Sequence, residues 1–176
     1  MLKNDELGEA KIPKMLYQTY LSTPLGYFEI SGTDNGVQSI KKVDTPVAEV
    51  DDIPDCLVDC KQQLQEYFER KREHLKIKID WGDATDFHKS VWEELLRIPY
   101  GHTTSYSAIA EKLGDPKKVR AVGQANGSNP ITIIVPCHRV IAKNGDLQGY
   151  FYGLDMKRKL LELENPMSFA SQGSLF

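Results

Sequence analysis

Three short strand-like runs open the legible part of the chain: Tyr17 to Ser22, Tyr27 to Ser31 and Val37 to Lys42. Pro24-Leu25-Gly26 and Asp34-Asn35-Gly36 separate them, and both are turn-forming sequences. The period then changes. From Asp55 to Arg72, Leu57, Leu64, Tyr67 and Phe68 fall on one stripe, which predicts a helix. Ile77 and Ile79 alternate with lysine and aspartate, as in a half-buried strand. Asp80 to Asp86 is polar and contains a glycine, which puts a boundary between two lobes, 1–84 and 85–176.

Beyond that boundary the pattern is helical. Phe87, Val91, Leu95 and Ile98 recur at helical spacing and predict a helix from Asp86 to Arg97. Ser105 is placed to cap a second helix over Tyr106 to Leu113. Gly114 ends it, and Asp115-Pro116 opens the next as N-cap and first helical residue. Two helices joined by a short glycine-containing link match the helix-turn-helix pattern. The apolar, β-branched run from Ile131 to Val135 reads as an interior strand that ends at Pro136, with Cys137 and His138 presented just beyond it in the segment to Val140. A loop through Asn144-Gly145 leads to a last helix from about Gly153 to Glu164, with a frayed tail from Asn165. The expected fold is therefore α/β (α+β). A small antiparallel sheet with one helix precedes a mainly helical lobe that contains a helix-turn-helix.

Composition narrows the class. The 176 residues suffice for one ordinary domain or two small ones, and 40% are hydrophobic against 27% charged. The apolar run Ile131 to Val135 is far too short to span a bilayer, and Met1 to Lys14 is too polar for a signal peptide, so no membrane partner is expected. Three cysteines argue against a disulfide framework and for a reducing compartment: the cytoplasm, or the nucleus in a eukaryotic source. The net charge of −3 conceals an asymmetry. Residues 1–88 carry 11 Lys/Arg against 17 Asp/Glu, whereas 89–145 carry 8 against 4. Positive charge gathers at Lys117, Lys118, Arg120, Arg139 and Lys143, which predicts a patch that attracts phosphates.

The candidate chemistry lies in Pro136-Cys137-His138-Arg139-Val140. Cys137 is a soft nucleophile, and His138 is the side chain that titrates near neutral pH. Neighbours in an extended segment point to opposite sides, so a bridging water is the expected link between them. Glu164 borders the apolar side of the last helix, formed by Leu154, Met156, Leu160, Leu161 and Leu163. A carboxylate there needs a partner, and His138 would serve. A chain Glu164–His138–water–Cys137 would yield a thiolate. The helix after Pro116 is also unusual, because Ala121, Gly123, Ala125 and Gly127 follow its basic residues. Glycine in a helix costs roughly 1 kcal/mol relative to alanine. Either the helix packs closely on another, or it approaches a large external surface such as a DNA minor groove. In the second case Arg120 is the natural wedge.

These pieces together resemble the O6-alkylguanine-DNA alkyltransferase family. The matching residues are Ile98-Pro99-Tyr100-Gly101, Ser105-Tyr106, Lys118-Val119-Arg120-Ala121-Val122-Gly123, Asn129-Pro130, Pro136-Cys137-His138-Arg139-Val140, Gly153-Leu154, and Leu160-Leu161 with Glu164. The resemblance implies that Cys137 accepts the alkyl group, His138 is the water-mediated base and Glu164 orients it. It implies that Arg120 replaces an extruded nucleotide, on a DNA-contacting helix bearing Lys117, Lys118, Ala121 and Gly123. Tyr106 would press on the adjacent phosphate and assist proton delivery, Asn129 would brace the turn, and Tyr150 would line the pocket. The implied partner is double-stranded DNA carrying O6-alkylguanine, with O4-alkylthymine as a second lesion. The protein would act once, as a monomer, without cofactor or metal.

Two departures stand out. Phe151-Tyr152 replaces the small Ser-Gly pair that usually follows the pocket tyrosine, so the substrate pocket of Tyr150, Phe151 and Tyr152 is expected to be narrowed; the alternative is a loop that swings outward, with the aromatic faces stacking on the extruded base or the DNA backbone. The zinc-binding cysteines and histidines of some members are unmatched, and Cys56, Cys60, His74 and His88 are read as ordinary residues. Two rivals belong to other classes. A lesion-binding protein without transfer chemistry would not need Cys137, and a Cys/His hydrolase or redox enzyme leaves Arg120 and the small-residue helix unexplained.

Overall fold

The computed structural model describes residues 15–47 and 52–169. Met1 to Lys14, read above as lacking a leader, lies outside them. β1 (Tyr17–Thr23), β2 (Gly26–Thr33) and β3 (Gly36–Val43) form an antiparallel sheet in that order. Its buried face, with Phe28, Ile30, Val37 and Ile40, packs on α1 (Asp55–Phe68) through Leu57, Cys60, Leu64 and Tyr67. The helix stops at Phe68 rather than Arg72. Glu69 and Lys71 have no apolar surface to bury, and Arg70 takes a left-handed conformation (φ 57°) that ends the helix. Ile77 and Ile79 are half-buried as expected, but they form no strand. A single parallel bridge joins Val37 to Ile79, because β3 begins at Gly36 and offers no earlier residue to pair.

α2 (Asp86–Leu96) is capped by Thr85 and buries Val91, Trp92 and Leu95. Trp92 Nε1 donates to Ala125 O at 2.8 Å, which ties this helix to α4. β4 (Thr104–Ser105) leads into α3 (Tyr106–Lys112), whose cap Ser105 accepts from Ala108 N. Pro116 opens not the α-helix but one 3-10 turn (Pro116–Lys118), capped by Asp115, before α4 (Val119–Gly127). β5 (Val140–Ile141) pairs in parallel with β4, and α5 (Leu154–Glu164) follows. Leu154 is exposed rather than part of the apolar side, since it occupies the solvent-facing first turn of α5. The chain beyond is not frayed at once. Asn165 Nδ2 donates to Gly101 O at 3.1 Å, and α6 (Pro166–Phe169) follows; residues 170–176 lie outside the described residues.

The segment from Ile131 to Val140 departs most from expectation. Every residue is buried, yet the chain folds back on itself instead of running as a strand. Ile134 N donates to Thr132 O and Val135 N to Ile131 O, around an Ile133 with φ 74°. Cys137–Arg139 is a 3-10 turn. Uniform burial erases the alternation that would distinguish strand from turn. The backbone is satisfied by a side chain in place of a partner strand. Asn129 Nδ2 donates to Val135 O (2.8 Å) and Asn129 Oδ1 accepts from Ile131 N (2.9 Å).

One contiguous core runs from Leu21 and Phe28 through α1 and α2 to Leu160, crossing the boundary drawn in the sequence. Ile40 N donates to Pro130 O at 2.9 Å, so β3 braces the turn that carries Cys137. No helix among the described residues is long and apolar enough to cross a membrane.

Gly36 sets the junction between sheet and linker. Its φ is 146°, and a Cβ there would lie 2.6 Å from the Lys78 carbonyl oxygen. Gly114, with φ 83°, has nothing within 4 Å of its Cβ position. Thermal melts of Gly36→Ala should show a loss of about 1–3 kcal/mol or more, and Gly114→Ala the smaller loss. Equal losses would show that the backbone clash at Gly36 is relieved without cost.

Candidate active site

Cys137 is buried at the first residue of its 3-10 turn, in the wall of a cavity of about 370 Å³. Asn129 Nδ2 lies 3.2 Å from its Sγ, so the amide that closes the turn also contacts the nucleophile. Burial pushes the thiol pKa up. The Asn129 contact, the Lys157 cation and Thr132 oppose that rise without cancelling it. A standing thiolate, the sequence expectation, is therefore not the resting state, because desolvation outweighs the donors.

His138 is fully buried beside it in sequence, and its Nε2 lies 2.7 Å from Glu164 Oε1. Glu164 is the most heavily coordinated side chain of the site. Its carboxylate accepts from His138 Nε2, from Arg139 Nε and Nη2 at 2.9 and 3.0 Å, from Tyr67 Oη at 2.7 Å, and from Gly101 N at 3.3 Å. Burial alone would raise its pKa; the His138 and Arg139 contacts outweigh that and hold it well below the usual carboxylate range. An ionised carboxylate accepts only, so His138 Nε2 carries the proton and Nδ1 holds the lone pair. Nδ1 is buried and has no hydrogen-bond partner among the described residues. Burial lowers the His138 pKa against the opposing pull of Glu164, which leaves the imidazole neutral and basic at Nδ1.

The cavity opens toward α4. Gly123 is half-buried, and a Cβ there would make ordinary contact with Tyr106; Gly127 is exposed, with nothing within 4 Å. Close packing inside the protein therefore does not account for these glycines, and α4 keeps an open, small-residue face. Ala121 is half-buried on the same helix, and Lys117, Lys118 and Arg120 are exposed at its start. Arg139 does not join that patch. It is buried on Glu164 and also donates to Ile98 O at 2.6 Å, because the 3-10 turn directs it inward. Tyr106 Oη donates to Gln148 O at 3.1 Å, and Tyr150 Oη meets Thr132 Oγ1 at 3.0 Å in the cavity wall. Tyr152 is half-buried, its hydroxyl accepting from Lys42 N of β3 at 3.1 Å. Phe151 is 80% exposed and lies at the rim rather than in the pocket, since the turn over 151–152 points it outward.

Residues 86–166 match the 6-O-methylguanine DNA methyltransferase DNA-binding domain, and residues 15–81 match the ribonuclease-like domain of the same family. The chain belongs to the 6-O-methylguanine DNA methyltransferase family. It is 41% identical over 155 residues to a methylated-DNA–protein-cysteine methyltransferase of Methanosarcina acetivorans, covering 85% of this chain and 98% of that one. A Mycolicibacterium paratuberculosis protein of the same name is 40% identical over 159 residues, covering 88% and 95%. Among solved structures, Mycobacterium tuberculosis OGT in complex with DNA superposes with a TM-score of 0.77 at 38% identity, over 89% of this chain and 97% of that one.

Two members of the site, Tyr67 and Lys157, lie outside the family pattern and the spacing arguments, and a third, Arg139, lies inside the pattern but in a role that neither gives. Tyr67, read as a core residue of α1, places its hydroxyl on Glu164. Arg139 was read as surface charge. Lys157 is fully buried on α5 and donates to Val140 O and Gln148 O, both at 2.6 Å, and to Gly149 O at 3.3 Å. Burial lowers its pKa to about 8. The signals were a tyrosine on an apolar stripe and a lysine beside Met156, both of which must find polar partners once buried. Cys60 lies in the core with its thiol pushed up to about 12, and Cys56 Sγ donates to Thr33 O. Among the described residues no group of three His, Cys, Asp or Glu is arranged to hold a metal.

Because its folded pKa is depressed, Glu164 contributes stability fully above its unfolded value of about 4.5 and loses it as pH falls toward the folded value. Glu164→Gln leaves Arg139 buried without its anion, at a cost of about 3–5 kcal/mol. Urea unfolding should show that deficit at pH 7 and a clearly smaller one at pH 3. A deficit that does not change with pH would mean the carboxylate's charge is not what stabilises the site.

Proposed function

We propose that this chain repairs duplex DNA by moving the alkyl group of O6-alkylguanine onto Cys137, with O4-alkylthymine as a second lesion. The observation that carries the reading is the position of Cys137. It lines a cavity in the size range of ligand pockets whose rim continues into the open, small-residue face of α4. A thiol so placed can reach a guanine O6 substituent only if the base leaves the stack. Lys117 and Lys118 attract phosphates at the start of α4, and Arg120 occupies the gap left by the extruded base.

The chemistry follows from the charges. The substrate enters while thiol and imidazole are both neutral. The thiol proton passes through a water to His138 Nδ1, and the Glu164 carboxylate at Nε2 stabilises the imidazolium that forms. The sulfur attacks the alkyl carbon, an S–C bond forms, and the C–O bond breaks with its electron pair going to guanine. Guanine takes up a proton, with Tyr106 assisting. The thioether is stable, so one molecule acts once, as a monomer and without a cofactor. In this reading residues 1–84 brace the pocket, and residues 85–176 carry the chemistry and the DNA contacts.

Intact-mass measurement after incubation with methylated duplex should show one added methyl per molecule, on the peptide containing Cys137. Cys60, with its thiol pushed up to about 12, should stay unmodified. Cys137→Ser should bind the duplex and gain no mass. Label on another residue, or more than one alkyl group removed per molecule, would end this reading.

Tyr152 rather than Phe151 narrows the pocket, because its hydroxyl spans the gap to β3. Overpacking by a large substituent costs about 1–3 kcal/mol, or roughly tenfold to a hundredfold in rate. Tyr152→Gly should therefore speed benzyl transfer far more than methyl transfer. Equal acceleration of the two would argue against a steric gate.

A further inference from the structure

Phe151 is among the most exposed large apolar side chains of the described residues, at 80%, yet it sits on a firmly held loop. Gln148 O accepts from Tyr106 Oη and Lys157 Nζ, and Gly149 O accepts from Lys157 Nζ. Tyr150 Oη meets Thr132 Oγ1, and Gly153 N donates to Tyr150 O at 3.0 Å. On the far side Tyr152 is tied to β3, and the Phe151 ring stands edge-to-face on it, with centroids 5.0 Å apart at 87°. The ring is thus held outward by its neighbours. A propped aromatic ring in water is unfavourable unless a partner covers it.

Its position selects the partner. Phe151 borders the cavity holding Cys137 and also a groove of about 510 Å³ along α4, lined by Val119, Gly123 and Gly127. A strand lying on the open face of α4 and feeding one nucleotide into the cavity must pass over this ring. A flat aromatic surface accepts any base by stacking, which suits a repair site that meets lesions in every sequence context. We propose that Phe151 is a nucleobase-stacking residue that holds the DNA strand at the pocket mouth, a second planar contact beside Arg120. This rests on the DNA-repair reading above. Of the two placements open in the sequence, it assigns Phe151 to strand binding rather than to the pocket wall.

The test compares Phe151→Ala, Phe151→Leu and Phe151→Trp in two assays. The first follows methyl transfer to Cys137 by intact mass, from O6-methylguanine in duplex DNA and from the free base. Stacking on one base is worth on the order of tenfold or more, so the ratio of duplex to free-base rates should fall about tenfold in Phe151→Ala. It should also fall in Phe151→Leu and recover in Phe151→Trp. The second assay uses Cys137→Ser protein and a duplex with 2-aminopurine beside the lesion. Binding should quench the probe through stacking with Phe151 or Trp at this position, and not with Ala. An unchanged rate ratio, full recovery with leucine, or quenching indifferent to position 151 would overturn the proposal. If the wild type took no methyl group from either substrate, the repair reading would fail. The quenching assay would still decide for or against stacking.

Discussion

The ionised carboxylate of Glu164 is the interaction on which the rest of the site depends. It sits at the end of α5 with no exposed side-chain surface, where an unpaired charge would be prohibitive. Four residues from three other parts of the chain donate to it: Tyr67 from α1, Gly101 from the loop before β4, and His138 with Arg139 from the 3-10 turn. Each donor fixes the place of the element that carries it. The carboxylate therefore locks α1, and the sheet it packs on, to the segment that presents Cys137.

That constraint also sets the chemistry. Arg139 and His138, the donors that hold its pKa down, keep the carboxylate ionised, which gives His138 a single tautomer. The lone pair is then at Nδ1, on the side away from Glu164. The same burial that makes this arrangement necessary raises the Cys137 thiol and lowers the imidazole, so both are uncharged at rest. A neutral thiol is a poor target for oxidants and stray electrophiles. Asn129 joins this logic to the fold. One amide closes the buried turn in place of a partner strand and also contacts the sulfur.

Much of this was legible in the sequence where local rules decide the structure. The three strands and their glycine turns, the Ser105 and Asp115 caps, and the stripes of α2 and α5 follow from period and capping chemistry. The pairing of Glu164 with His138 was also legible, because a carboxylate at the border of an apolar stripe must find a donor. What failed depends on tertiary context. Ile131 to Val135 has the composition of an interior strand, and its turn is specified by a side chain that lies before it. Arg139 reads as surface charge until the 3-10 turn is known to direct it inward. Phe151 and Tyr152 read as one bulky pair, and only the hydroxyl contact to Lys42 separates a wall residue from an exposed one.

Glu164 holds His138 as a neutral imidazole protonated at Nε2, with Nδ1 free to act as base. Nitrogen-15 NMR of the free protein, with the imidazole of His138 labelled, reports this state directly. A protonated Nε2 and an unprotonated Nδ1 are expected at pH 7, persisting on acidification below the ordinary histidine pKa of about 6.5. An imidazolium at pH 7, or the opposite tautomer with the proton on Nδ1, would contradict this state.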